Sequence, residues 1–169
     1  MKLAADYKTL HDNNAFGGMT LAKFADVVVP LLKYHDAQSI LDYGSGRGQS
    51  WEENADLKAI KDARHVVLYD PGVEGLSALP SGKFAAVLCI DVVEHVPEDE
   101  IPETLSRVFN YATKVVIATF CPRGSKKKLP STGGDVHITQ RPRVWWEQRF
   151  SEANATRSHP VPFYLFENP

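Results

Sequence analysis

Four apolar segments, each followed by a corner of glycine, aspartate or proline, constrain the fold of this chain more than any other feature. They occupy residues 39–42, 65–69, 84–90 and 114–120. Their apolar residues are continuous rather than alternating, which is typical of strands covered on both faces within a parallel sheet. Helical patterns separate the segments. This alternation predicts an α/β fold, with a mostly parallel central sheet, helices on both faces and ligand chemistry at the carboxyl ends of the strands.

The first helical patterns carry their own boundary signals. Apolar spacing from Leu21 to Leu32 predicts a helix that Pro30 should kink or end. Ser50 and Glu53 have the S-x-x-E form of a capping box, which predicts that a helix starts there, just after a glycine-rich loop.

The last third of the chain predicts two further helices and the closing edge of the sheet. The helices are expected over residues 101–109 and 144–150, each with a proline at or near its start. Residues 155–159 and 163–167 flank a proline pair and predict two short closing strands, one of them antiparallel.

Length and composition exclude several classes of protein. The chain has 169 residues, which corresponds to one domain spanning residues 1–169. Its net charge of −2 gives no bulk attraction for nucleic acid or anionic lipid, and no apolar stretch reaches the ~20 residues of a membrane-spanning helix. Cys89 and Cys121 are too few for a disulfide framework. We therefore expect a soluble, cytoplasmic domain with a small-molecule partner rather than a membrane or nucleic acid.

The most informative motif is the loop that follows the first strand. Gly44, Ser45, Gly46 and Gly48 let the backbone turn sharply and let a ligand approach the main chain. The third glycine of a dinucleotide-binding G-x-G-x-x-G is replaced by glutamine at position 49. Asp42, at the strand end before the loop, would repel a pyrophosphate but suits a ligand that carries an ammonium group.

The second strand ends in Asp70, and Pro71 follows it. Asp70 lies 22 residues after Gly48, where an acid commonly accepts hydrogen bonds from the two hydroxyls of a ribose. Glycine turns are common, however, and aspartates at strand ends often cap helices. Taken together, one acid for an amino group, a glycine turn and one acid for a ribose describe S-adenosylmethionine.

With these residues in place, the chain resembles the class I S-adenosylmethionine-dependent methyltransferases, which have a Rossmann-like fold. The matching stretches are L-D-Y-G-S-G-R-G at 41–48, L-Y-D at 68–70 and C-I-D-V-V-E-H-V at 89–96. It also resembles a group of small bacterial and phage methyltransferases without an assigned substrate. That likeness rests on L-Y-D-P at 68–71, K-L-P at 128–130, H-I-T at 137–139 and W-W at 145–146.

The resemblance implies roles for individual residues. It implies that Asp42 and residues 44–48 hold the methionine half of the cofactor, and that Asp70, with Pro71 beside it, holds the ribose. It also implies that Asp91 and Val92 line the floor near the transferable methyl group.

The connection between the second and third apolar segments departs from the family pattern. Only thirteen residues separate Asp70 from Phe84, too few for the usual helix and third strand. We expect a reduced connection, with a short edge strand at residues 76–78. Adenine would then be held by the backbone near Leu79 and by apolar packing.

A cluster of acids and histidines leaves a metal-dependent alternative open. Asp91, Glu94 and His95, with His137 in a later loop, are similar to the E-x-x-E-H metal motif of small-RNA 3′-end and ubiquinone-pathway O-methyltransferases. Asp91 is shorter than the glutamate of that motif, and many metal-free relatives share D-x-x-E-H, with the histidine packed near the cofactor. We therefore assign no metal ligands from sequence.

The segments on either side of the predicted site have roles of their own. Residues 123–139 form a basic loop, in which Arg123 and the lysines at 126–128 could attract a phosphate or carboxylate or simply be solvated. His137 is the candidate general base, and His95 the second candidate catalytic residue, although a hydrogen-bonded loop histidine would look the same. Residues 1–19 would form a lid over the cofactor or a mobile terminus.

The predicted function is methyl transfer from S-adenosylmethionine to an oxygen or nitrogen of a small molecule, such as a sugar or a metabolite bearing phosphate or carboxylate. Two alternatives stay open: a metal-assisted 2′-O-methyltransferase acting on an RNA end, and a non-catalytic protein that binds the cofactor. A nicotinamide oxidoreductase is disfavoured by glutamine at position 49 and by Asp42. The acceptor and the oligomeric state are not predicted.

Overall fold

The computed structural model describes residues 3–168, which form an α/β fold around a five-stranded sheet. The strands are β1 (Ser39–Tyr43), β2 (His65–Tyr69), β3 (Phe84–Cys89), β4 (Ala112–Phe120) and β5 (Phe163–Glu167). Their order is β2-β1-β3-β4-β5, and every neighbouring pair within the described residues is parallel. The helices are α1 (Ala4–Asp12), α2 (Thr20–Lys23), α3 (Ala25–Tyr34), α4 (Gln49–Glu53), α5 (Ala55–Ala63), α6 (Ile101–Tyr111) and α7 (Arg143–Ala155). Two short 3-10 helices, Val93–His95 and Glu98–Glu100, precede α6.

Consecutive residues of each central strand point to opposite faces, and both faces are covered. Ile40 belongs to a buried cluster with residues of α3, α4 and α5, whereas Leu41 belongs to a second buried cluster with residues of α6 and α7. All six residues of β3 are buried. The segments are continuously apolar because they form a parallel sheet between two helical layers, as the sequence predicted. The predicted α/β class is confirmed.

The helix predicted from Leu21 to Leu32 is divided into two helices, and the break is not at Pro30. The chain breaks at Phe24, between α2 and α3, and α3 continues past Pro30 to Tyr34. Pro30 is exposed, while Val28 and Leu32 on the inner face are fully buried. An interior proline costs about 3 kcal/mol, and burying each of these side chains contributes roughly 1.5–3 kcal/mol, so packing holds the helix together.

The capping box predicted at Ser50 is also wrong. Helix α4 begins one residue earlier, at Gln49, with Gly48 in a left-handed conformation as its N-cap. The Ser50 hydroxyl instead donates to the carbonyl of Gly18 at 2.7 Å and accepts from the amide of Ala22 at 3.2 Å. It thus joins α4 to α2.

The connection after β2 is reduced, as expected, but it contains no strand at residues 76–78. The amide of Asp70 donates to the carbonyl of Leu76, and the amide of Leu76 donates to the carbonyl of Val73. These bonds fold the segment back on the end of β2, so that it cannot extend along the edge of the sheet.

The closing edge has one strand rather than two. Helix α7 continues to Ala155, beyond the predicted end of the helix, and residues 156–162 have no regular structure. Strand β5 is parallel to β4, not antiparallel. The helical crossover through α7 explains this direction, because a strand that follows such a crossover returns parallel to the first.

No helix within residues 3–168 is both long and apolar enough to cross a bilayer. The thiols of Cys89 and Cys121 are buried and free.

Candidate functional site

A cavity of about 280 Å³ lies at the carboxyl ends of β1, β2 and β3. This volume is near the lower end of the ~300–1,000 Å³ typical of ligand pockets. Its wall combines the loop after β1, the ends of β2 and β3, and the N-terminal segment. Of the residues predicted for the site, it includes Asp42, Gly44, Ser45, Gly46, Asp70, Pro71, Asp91, Val92 and His95.

The glycine loop closes tightly, and its backbone donors are already used. Gly44 has a φ of +85°, and a Cβ there would lie 2.3 Å from a methyl carbon of Val92. The amides of Gly44 and Ser45 donate to the carbonyl of Tyr69, and the amide of Gly48 donates to that of Ser45. The amide of Gly46 donates to the Asp70 carboxylate, so four loop amides are engaged within the protein. These four amides are therefore not available to hold a pyrophosphate, as the amides of a dinucleotide-binding loop do.

Asp42 presents a buried carboxylate to the cavity. Its side chain is only 4% exposed, and one oxygen accepts a hydrogen bond from Trp51 Nε1 at 2.8 Å. Burial raises the pKa of Asp42 to about 7, although the Trp51 hydrogen bond opposes the shift, and the nearby charge of Asp70 adds to it. A cationic ligand would stabilise the ionised form of this carboxylate.

Asp70 connects the ends of β1 and β2. Its Oδ2 accepts from the Gly46 amide at 2.8 Å, and its Oδ1 accepts from the Gly72 amide at 2.8 Å. His11 Nε2 lies 3.7 Å from Oδ1. An ionised carboxylate has about four acceptor positions, so each oxygen retains capacity for a further donor.

Asp91 and Val92 form the floor of the cavity. Asp91 has a φ of +61°, an uncommon conformation for a non-glycine residue that often occurs at functional sites. Its amide donates to the Thr119 hydroxyl, and its two carboxylate oxygens accept from Thr20 Oγ1 and Asn168 Nδ2, each at 2.9 Å. The floor is thus held from three separate parts of the chain.

His95 belongs to the cavity wall, whereas His137 packs behind it. The two rings meet edge to face, with centroids 4.8 Å apart. His95 Nδ1 lies 3.0 Å from the carbonyl of Val136, and His137 Nδ1 lies 2.7 Å from that of Arg123. Burial lowers the pKa of His95 to about 4, so its imidazole is neutral near pH 7. His95 is therefore better placed than His137 to act on a ligand.

Glu94 is not among the residues that line the cavity. It is fully buried, and neither carboxylate oxygen makes a well-formed hydrogen bond with a residue in the described part of the chain. Burial raises the pKa of Glu94 well above its ordinary value, and the nearby Asp91 adds to the shift. Glu94 is consequently not among the residues whose side chains converge at the cavity.

Two of the residues predicted to bind the cofactor, Leu79 and Gly48, lie outside the cavity. Leu79 lies on the connection after β2, is 50% exposed and does not line the cavity. Gly48 turns the chain into α4, and a Cβ there would lie 2.5 Å from Leu68 Cδ1. Of the lysines at 126–128, Lys127 alone lines the cavity, with its Nζ 4.8 Å from the centre of the Phe16 ring.

The N-terminal segment contributes more of the wall than its sequence indicated. The Tyr7 hydroxyl donates to the carbonyls of His95 and Val136, which fixes α1 beside the cavity. The Phe16 ring packs at a tilt against His11 and edge to face against His95. The polar, glycine-bearing run at 11–18 favoured a segment folded over the site, although no periodic pattern marks the individual contacts.

Arg47 and Gln49 are two further wall residues. Arg47 donates to the Asn14 side chain and to the carbonyl of His11, which ties the N-terminal segment to the glycine loop. Gln49 Oε1 is buried without a hydrogen-bond partner among residues 3–168. The glutamine that breaks the dinucleotide fingerprint therefore places a buried acceptor without a described partner in a residue of the cavity wall.

No known family model matches the chain, and no curated protein is significantly similar to it in sequence. The function must therefore be argued from the site itself.

Proposed function

We propose that the cavity binds S-adenosylmethionine and that the protein transfers the methyl group of this cofactor to a small molecule. The observation that carries the proposal is an imbalance between donors and acceptors at the glycine loop. The amides of Gly44, Ser45, Gly46 and Gly48 all donate within the protein. Asp42 and Gln49 both line the cavity at this end and carry acceptors, a carboxylate and a buried amide oxygen that has no hydrogen-bond partner among residues 3–168. A ligand with a positively charged donor group complements this end, and a pyrophosphate does not.

Asp70 supports the same orientation of the ligand. The ends of β1 and β2 lie side by side, with Tyr43 opposite Tyr69, so Asp42 and Asp70 occupy neighbouring strand ends. Asp70 retains acceptor capacity beyond its two amide bonds, which suits the paired hydroxyls of a ribose. The amino acid end of the cofactor would then lie at Asp42 and Gln49, and the nucleoside end at Asp70.

When bound, S-adenosylmethionine supplies a methyl group activated on a sulfonium. Val92, Asp91 and Phe16 line the cavity; in the bound complex Val92 and Asp91 would lie below the reacting centre, and Phe16 with the N-terminal segment would restrict access of water from above. Holding the reactants in line is the main contribution expected from these residues, and such orientation can supply roughly 7–11 kcal/mol of the barrier reduction. For an acceptor that carries a proton, the neutral His95 of the metal-free protein would accept that proton at Nε2, because Nδ1 faces a carbonyl.

The proposal is tested by calorimetric titration with S-adenosylhomocysteine and with NAD⁺. We expect the first to bind one equivalent and the second to show no saturable binding. Gln49→Leu, which removes the free acceptor, should weaken the binding of S-adenosylhomocysteine by about 10- to 150-fold, the equivalent of one hydrogen bond to a charged donor. Gln148→Leu, on the exposed side of α7, is the matched control and should bind as the wild type does. Tight binding of NAD⁺, or equal affinity in Gln49→Leu, would overturn the proposal.

A further inference from the structure

We infer that Asp91, His95 and His137 form a binding site for a divalent transition-metal ion at the edge of the cavity. One carboxylate oxygen and two imidazole nitrogens of these residues all lie within 4.8 Å of one another. They come from the end of β3, the 3-10 helix that follows it and the basic loop, so the site forms only in the folded chain. The inference does not depend on which organic molecule occupies the cavity.

The two imidazoles are fixed in the state that a metal requires. A backbone carbonyl can only accept a hydrogen bond, so His95 Nδ1 carries its proton toward Val136 and His137 Nδ1 carries its proton toward Arg123. In each ring the lone pair then lies on Nε2, which takes no part in these two hydrogen bonds. Metal-binding histidines almost always donate their other ring N–H to a carbonyl or carboxylate in this way.

The carboxylate is fixed just as firmly. Thr20 and Asn168 donate to the two oxygens of Asp91, whose backbone has a left-handed conformation. Hydrogen bonds of this kind orient ligating carboxylates. The positive charge of Lys127 and the negative charge of Asp91 act on His95 in opposite directions, and the effect of Asp91 is the larger.

The spacing requires only a small contraction. Bonds of about 2.0–2.1 Å in a tetrahedral site place ligand atoms roughly 3.4 Å apart, so the widest pair would close by about 1.4 Å or less. His137 lies on a loop of irregular structure, where a change of side-chain torsion can supply this movement. Glu94, fully buried behind the floor, is not part of the group.

The donor set indicates the class of metal. Imidazole nitrogen suits Zn²⁺, Co²⁺, Fe²⁺ and similar ions, whereas Mg²⁺ and Ca²⁺ prefer oxygen ligands throughout. Two histidines and one carboxylate leave at least one coordination position open to water or to an oxygen of a bound molecule. Zn²⁺ is the ion that we expect to bind most readily among those without redox chemistry.

The test is a titration of chelator-treated protein, without a histidine tag, with Co²⁺. We expect one equivalent to bind with visible absorption bands of a protein-bound site, and Zn²⁺ but not Mg²⁺ to displace it. His137→Gln and Asp91→Asn should each weaken Co²⁺ binding by at least 10- to 100-fold, since losing a ligand costs no less than losing a residue that orients one. His159→Gln, an exposed histidine far along the chain from the site, should bind as the wild type does.

Thermal unfolding of each variant without metal shows whether it is folded. If Asp91→Asn is unfolded, the test rests on His137→Gln, whose residue lies on the loop. The inference is overturned if no stoichiometric Co²⁺ binding occurs, or if His137→Gln and His159→Gln bind Co²⁺ equally. Failure of S-adenosylhomocysteine to bind leaves this result unchanged, so the two proposals are tested separately.

Discussion

The carboxylate of Asp70 accepts a hydrogen bond from the backbone amide of Gly46 at 2.8 Å, which fastens the end of β2 to the loop after β1. The same carboxylate accepts from Gly72 through its other oxygen. Asp70 is 7% exposed, so these bonds form in a partly dehydrated setting where losing an acceptor is costly. Asp70 thus shapes the loop as well as facing the cavity.

Asp70→Asn is expected to weaken the binding of S-adenosylhomocysteine by about 2–3 kcal/mol, or roughly 30- to 150-fold. The amide group of asparagine would direct an N–H at a backbone N–H and would offer the ribose one acceptor fewer. Calorimetric titration measures the change. Asp62→Asn, on the exposed face of α5, serves as the control and should have no effect. Equal affinity in Asp70→Asn and the wild type would contradict the role given to Asp70.

The affinity for S-adenosylhomocysteine should rise with pH because of Asp42. Burial raises the pKa of Asp42 to about 7, and the ammonium group of the ligand favours the ionised carboxylate. Binding therefore releases a proton at low pH, and the affinity should increase about 8-fold between pH 6 and pH 7.5. Titrations over this range check the slope.

5′-Methylthioadenosine, which lacks the ammonium group, is the matched ligand for that experiment. It should show little change in affinity over the same range. An equal slope for both ligands would show that Asp42 does not face the ammonium group.

Gly44→Ala should destabilise the protein more than Gly75→Ala does. Both glycines have a φ above +80°, so both substitutions carry a backbone cost of about 1–2 kcal/mol. Only at Gly44 does the new methyl group collide with Val92, whereas nothing lies within 4 Å at Gly75. The extra loss should be about 1–3 kcal/mol, measured by denaturant unfolding.

The double variant Gly44→Ala with Val92→Ala identifies the cause of that extra loss. If the collision with Val92 is responsible, the double variant should recover part of it relative to the sum of the single changes. Strict additivity would show that the loop does not pack on Val92 as described.

Glu94 should make stability depend on pH. Burial raises the pKa of Glu94 in the folded state. Above pH ~4.5 the unfolded chain releases a proton that the folded protein retains, so the stability of the fold decreases as pH rises. Glu94→Gln cannot titrate. Its stability relative to the wild type should therefore increase between pH 5 and pH 8, by at most about 1.4 kcal/mol per pH unit. Glu53→Gln, an exposed glutamate, is the control; parallel curves for Glu94→Gln and the wild type would contradict the prediction.

The parts of this fold that sequence could predict are those governed by local patterns. The strand segments around Leu41 and Val87 were predictable because burial on both faces leaves a continuous apolar sequence. The positive φ angles at Gly44 and Gly46 followed from the glycine spacing after a strand. Asp42 and Asp70 were placed at the cavity because parallel strands end at one edge of the sheet.

The parts that could not be predicted depend on contacts between distant segments. Ser50 fits a capping box, but its hydroxyl is used by Gly18, 32 residues away. Glu94 is buried in the 3-10 turn after β3 and does not line the cavity. No spacing in the sequence indicates this. Tyr7 reaches Val136 across 129 residues, a contact that no local pattern records.

The most direct test of the central claim is a crystal structure of the protein with S-adenosylhomocysteine. The account predicts density in the cavity, with the ammonium group beside Asp42 and the ribose hydroxyls on Asp70. Density for the nucleoside at Asp42, or an empty cavity at saturating ligand, would contradict it.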